Sequence, residues 1–102
     1  MNKLGISIIG CGNIYEMHAE AVKENPSARL VSVVDIQEDR ARSAASRYDC
    51  DYYTDYKEML KDEKIDVVHI CTPHHLHAPM SINSLKSGKQ VLVEKPLAHN
   101  LE

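Results

Sequence analysis

Tryptophan and phenylalanine are absent from this chain, and tyrosine supplies all of its aromatic content. The core must therefore be aliphatic, completed in places by tyrosine. Cysteine is scarce: three residues, an odd number without framework spacing. That argues against a disulfide scaffold and points to free thiols in a reducing cytoplasm. Positive charge is in deficit, with 12 Lys and Arg against 15 Asp and Glu and a formal net charge of −3. No basic run exists, so there is no electrostatic footprint for nucleic acid, and none is expected as a partner. No apolar run approaches the ~20 residues that span a bilayer, so no membrane partner is expected either. Met1-Asn2-Lys3 leads straight into a strand-like apolar stretch, which does not read as a signal peptide. Glycine and proline number four each, and no Gly-rich linker, internal repeat or low-complexity segment is visible. What is present is one small globular domain of 102 residues, 43% hydrophobic and 26% charged.

The pattern along the chain alternates. Residues 5–9 read as a buried strand, Ile-rich and closed by Gly10. Residues 13–23 are predicted helical, with Ile14, Met17, His18 and Ala21 at i, i+3, i+4 and i+7, and Pro26 as the stop. Residues 29–34 form a second strand that ends at Asp35, and residues 38–48 a second helix with Ala41, Ala44, Ala45 and Tyr48 on one face. A short third strand over 50–53 precedes a short helix over 55–61 that buries Tyr56, Met59 and Leu60. A fourth strand over 65–71 ends at Thr72-Pro73, where proline pushes the preceding residue into an extended conformation. A helix from His77 to Ser87, with Pro79 in its first turn and Gly88 at its end, leads to a fifth strand over 90–94.

Five strands alternating with four helices imply an α/β domain, a doubly wound parallel sheet of the Rossmann type with right-handed crossovers. The expected strand order is 3-2-1-4-5, with the switch point between strands one and four. Such a domain usually has a sixth strand. The 102 residues end before one could form, so the chain reads as an incomplete Rossmann domain from a longer protein.

Four places could carry chemistry. The turn Gly10-Cys11-Gly12 follows the first strand and opens the first helix. Gly10 permits the tight turn, Gly12 lets the backbone approach a phosphate, and the helix N-terminus offers N–H groups and a positive dipole end. The third glycine of G-x-G-x-x-G is replaced by Tyr15, and by itself the turn could bind nothing. Asp35 lies at the end of strand two, at the spacing of about 20 residues where an acidic side chain accepts hydrogen bonds from the adenosine ribose. A carboxylate there repels a 2′-phosphate, and Ile36 stands where an NADP binder more often has Arg or Lys, so NAD is favoured over NADP. Arg40 could reach a phosphate, and Asp35 could equally serve as a helix cap.

Cys71 to His77 holds three histidines and a cysteine at the carboxyl end of strand four. That composition suggests zinc, but no second ligand cluster with recognisable spacing accompanies it, and no metal site is expected. His77 reads instead as a helix cap or cofactor contact. Finally, Glu94-Lys95-Pro96 closes strand five at the same sheet edge. A lysine there could polarise a hydroxyl or carbonyl near a nicotinamide, or it could be half of a surface ion pair.

Taken in order, these segments resemble the glucose-fructose oxidoreductase / inositol dehydrogenase family (Gfo/Idh/MocA). The resemblance rests on Ile8-Ile9-Gly10-Cys11-Gly12-Asn13-Ile14 with His18-Ala19, on Val33-Val34-Asp35, on residues 66–73 with His77, and on residues 88–98, which contain Glu94-Lys95-Pro96. It implies an NAD(P)-dependent oxidoreductase acting on a sugar, cyclitol or related polyol. It further implies that Gly10, Gly12, Asn13 and Ile14 hold the pyrophosphate and Asp35 the ribose. Thr72, Pro73, His74, His77 and Glu94 would line the nicotinamide side, and Lys95 would be the active-site lysine. The family's second domain, which carries substrate contacts and much of a homo-oligomer interface, is absent from these residues. The 102 residues alone are therefore expected to bind NADH weakly or not at all. Two rivals remain open at this point: a non-catalytic dinucleotide-binding sensor, and an S-adenosylmethionine-binding methyltransferase, for which Glu94-Lys95-Pro96 has no use.

Overall fold

The computed structural model describes residues 3–10, 15–71 and 77–93. The chain runs β1 (Leu4–Ile9), α1 (Tyr15–Glu24), β2 (Ala28–Val34), α2 (Glu38–Tyr48), β3 (Asp51–Tyr53), α3 (Tyr56–Met59), β4 (Val67–Ile70), α4 (His77–Lys86) and β5 (Gln90–Val93). All pairings are parallel, and the sheet order is β3-β2-β1-β4-β5, as the alternating pattern predicts.

Two apolar layers hold the helices on the sheet. Ile8, Leu30 and Val33 face one side and pack with Ala19 and Val22 of α1 and Ala44, Ala45 and Tyr48 of α2. Ile9, Val34, Val68 and Ile70 face the other side and pack with Met59 of α3 and Met80 of α4. Ile8/Ile9, Val33/Val34 and Val68/Ile70 follow the period-2 alternation of strands buried on both faces, while the irregularity in β2 brings Leu30 and Val33, three residues apart, to the same layer. The crossovers after β1 and β4 thus lie on opposite faces of the sheet, which opens a crevice between their exits.

Three local expectations need correction. The buried face of α1 is Ala19 and Val22, with His18 half-buried and Ala21 exposed. Ala19 and Val22 therefore meet the sheet in place of Ala21; Ile14 and the side chain of Met17 lie outside the described residues. Helix α3 is shorter than expected. Asp55 caps it by accepting from the Lys57 N–H at 2.9 Å, and beyond Met59 the bonds tighten to three-residue turns, Lys61 N to Glu58 O and Asp62 N to Met59 O. Strand β4 begins at Val67, and Ile65 is buried in the lower layer without belonging to it.

The register of β1 against β2 shifts between Ile6 and Ser7. Just past this irregularity the hydroxyls of Ser7 and Ser32, both fully buried, sit 2.8 Å apart. Ser7→Ala removes one partner and strands the other, so it is expected to cost about 1–3 kcal/mol. The Ser7→Ala/Ser32→Ala double variant is expected to cost less than the two single variants together. Urea unfolding of the four proteins measures the coupling; strict additivity would show that the pair contributes nothing.

Candidate functional site

The five strands end in one row. Tyr53 pairs with Val34, Val34 with Ile9, Ile9 with Ile70, and Ile70 with Val93. The chain therefore leaves the sheet at the same edge after every strand. Gly10, Asp35 and Cys71 are the residues that follow the row in β1, β2 and β4. Glu94 and Lys95 are the next two residues in the chain after Val93.

Gly10 has φ 97°, a conformation that side chains disfavour, and its N–H donates to Val34 O at 2.7 Å. The bond extends the β1–β2 ladder by one step, and α1 starts at Tyr15. Its N-terminus carries a positive dipole end suited to an anion. Gly12, Asn13 and Ile14 lie outside the described residues.

Asp35 is buried, 9% exposed. Its N–H donates to Tyr53 O at 3.1 Å, and its Oδ1 accepts the Gln37 N–H at 2.9 Å. It is not the N-cap of α2; Gln37 holds that position and makes no side-chain cap bond. The carboxylate is thus fixed at the end of β2 by its own loop. Ile36 is 84% exposed, and Arg40 is exposed in the first turn of α2. Glu38 and Asp39 share that turn. Glu38 holds Arg42 at 3.4 Å and accepts from the Tyr52 hydroxyl at 3.1 Å. Acidic groups therefore outnumber Arg40 around the end of β2, which is unfavourable for an added phosphate.

The Cys71 N–H donates to Ile9 O at 2.8 Å and ties the exit of β4 to β1. Helix α4 starts at His77, as expected from Pro79 in its first turn. Thr72, Pro73, His74, Glu94 and Lys95 lie outside the described residues.

A different cluster comes together beside this edge. The ring of His18 on α1 meets that of His69 on β4 with centroids 4.3 Å apart and an interplanar angle of 62°. Cys71 joins them, and the ligand atoms of the three residues lie within 4.8 Å of one another. The sequence did contain a signal for part of this. His69 and Cys71 are two apart in an extended segment and so share a face. Only the packing of α1 could supply His18. The thiol of Cys50 lies elsewhere, and burial, followed by the charge of Asp51, pushes it up to about 11. It is held protonated near neutrality.

A groove of about 540 Å³ runs between α2 and β3 past Arg42, Asp49, Tyr52 and Tyr53. It sits at the outer edge strand. Gly10, the buried carboxylate of Asp35 and the start of α1 belong instead to the carboxyl ends of β1 and β2, beside the switch point. Open α/β sheets bind ligands there, so the crevice is the candidate site. No helix among the described residues is long and apolar enough to cross a membrane.

Comparison with known proteins gives a consistent result. The family described as "Oxidoreductase family, NAD-binding Rossmann fold" (GFO_IDH_MocA) matches residues 4–102. Inositol 2-dehydrogenase of Rubrobacter xylanophilus is 34% identical over 101 residues, covering 98% of this chain and 29% of that protein. The structure of GenD2 from gentamicin A biosynthesis, in complex with NAD, superposes with a TM-score of 0.90 at 33% identity, covering 95% of this chain and 28% of that one. KijD10, a 3-ketoreductase from Actinomadura kijaniata in complex with NADP, superposes with a TM-score of 0.88 at 29% identity, covering 94% and 30%. The chain spans less than a third of the length of each of these proteins.

Proposed function

The chain belongs to the Gfo/Idh/MocA oxidoreductase family and carries its NAD-binding Rossmann fold; from that premise we propose that it is the cofactor half of a dehydrogenase acting on a sugar, cyclitol or related polyol. A second domain would bring the substrate and assemble a homo-oligomer. The thiol of Cys50 is free, which suits a cytoplasmic setting.

NAD, when bound, accepts or supplies the hydride exchanged with the carbon that bears the reacting hydroxyl. The chain's own residues do the rest. The Gly10 turn and the N-terminus of α1 would hold the pyrophosphate, with Gly12, Asn13 and Ile14 completing the cradle. The Asp35 carboxylate would accept the ribose hydroxyls, and Ile36 would lie against the adenine side. Thr72, Pro73, His74, His77 and Glu94 would line the nicotinamide side. Lys95 would take the hydroxyl proton during oxidation and return it during reduction.

One observation carries this reading: the buried Asp35 sits beside Gly10 on one edge, with Glu38 and Asp39 next to it and Arg40 as the countercharge. That charge balance favours a ribose over a 2′-phosphate. In a full-length protein bearing this domain, NADH is therefore expected to bind more tightly than NADPH. Asp35→Ala is expected to weaken NADH by about tenfold or more, the loss of a charged hydrogen bond, and to narrow the gap to NADPH. Fluorescence titration of both nucleotides measures this. Equal affinities in the wild type would remove the role given to Asp35.

A further inference from the structure

We propose that His18, His69 and Cys71 form a binding site for zinc or a similarly soft divalent cation. The argument starts from the strand. Val68 and Ile70 face the layer under α3 and α4, so His69 and Cys71 face the layer under α1. That layer is otherwise aliphatic around them, with Ile8, Ala19, Val22 and Val33. His69 is only 6% exposed. The opposite helix presents a second imidazole, His18, in ring contact at 4.3 Å, and the next residue on the same strand face is a thiol.

Two imidazoles and a thiolate are a donor set that zinc takes in tetrahedral geometry. With Zn–N about 2.0–2.1 Å and Zn–S about 2.3 Å, neighbouring donors in such a centre lie about 3.4–3.6 Å apart. The three ligand atoms here already lie within 4.8 Å of one another. Ring rotations and shifts on the order of 1 Å close the set on an ion. His18 and Cys71 are half-buried, so the ion has a route in from solvent. Three protein donors leave the fourth position for water or an added ligand. On binding, Cys71 becomes a thiolate and its proton passes to the buffer. The ion would fasten α1 to β4 across the intervening exit of β1, next to the Gly10 turn. The proposal rests on these three residues alone and stands apart from the dinucleotide reading.

Cobalt(II) is the probe, added without nucleotide to the reduced full-length protein and then displaced by zinc. We expect one ion per chain, the visible absorption of a tetrahedral centre and a near-ultraviolet thiolate-to-cobalt band. Cys71→Ser removes that band. His18→Gln and His69→Asn each weaken zinc binding by at least about tenfold. Cys50→Ser changes neither. Far-ultraviolet circular dichroism accompanies each variant. If the buried His69→Asn fails to fold, His18→Gln on the half-exposed helix face carries the test. The proposal is overturned if no thiolate band forms, if the band survives Cys71→Ser, or if His18→Gln leaves zinc affinity unchanged.

Discussion

In a full-length protein bearing this domain, Lys95→Met is expected to lower kcat by about 10²–10⁴-fold, the usual contribution of a positioned general acid–base group. The affinity for NADH is expected to stay within a few-fold. A residue that assists the chemical step changes kcat and kcat/KM together, whereas one that only helps to bind the nucleotide raises KM. Lys95→Arg sharpens the test. It keeps the positive charge but cannot accept and release a proton near neutrality, because a guanidinium stays protonated. It is therefore expected to keep NADH affinity and still fail to restore turnover. Steady-state kinetics with a polyol substrate, beside NADH titrations, separates the two. Turnover within a few-fold of wild type in Lys95→Met would end the catalytic role and favour the sensor reading.

The second large effect concerns the fold that holds the site. Gly5→Ala is expected to destabilise the domain by about 3 kcal/mol or more, the upper range for overpacking. A Cβ at Gly5 would overlap the carbonyl oxygen of Lys64 and lie 3.1 Å from Cγ2 of Val31. The obstacle is backbone, and it is pinned. The Gly5 N–H donates to Asp66 Oδ2 at 2.8 Å, and the Asp66 N–H donates to Gly5 O at 2.7 Å. The buried ammonium of Lys89 donates to Asp62 O at 3.0 Å and Ile65 O at 2.8 Å, fixing the same loop from the other side. Thermal unfolding is the measurement. At about 4–8 °C per kcal/mol for a domain of this size, Tm is expected to fall by at least ~10 °C. Gly88→Ala is the control. Its φ of 84° disfavours a side chain, but no atom lies within 4 Å of the added Cβ, so only the conformational cost of about 1–2 kcal/mol applies. Equal Tm losses in the two variants would show that the close approach at Gly5 is not what matters.

These residues also show what was legible in the chain itself. The order of strands and helices followed from local signals. Aliphatic runs closed by Gly10 or Thr72-Pro73, alanines at helical spacing in 38–48 and Gly88 after the last helix each act within a few residues. Helix α2 and the start of α4 were fully specified in this way. The place of Asp35 at the end of β2 could be read because its distance from the glycine turn is set by the length of a helix and a strand. The close approach at Gly5 was not legible, because Lys64 lies near the far end of the third crossover, just before β4. The buried face of α1 was equally hidden. Apolar spacing favoured Ala21, but packing against Ile8 and Val33 buries Ala19 and Val22. The meeting of His18 with His69 depends on that same packing, whereas a count of histidines in the sequence pointed to His74, His75 and His77 instead.

The central claim is that a dinucleotide lies across the carboxyl ends of β1 and β2, with Asp35 on its ribose. A crystal structure of the full-length protein grown with NAD tests this most directly. The account predicts the pyrophosphate beside Gly10 at the N-terminus of α1, and the adenosine ribose hydroxyls within hydrogen-bond distance of the Asp35 carboxylate. A dinucleotide seated in the groove between α2 and β3, or a ribose turned away from Asp35, would contradict it.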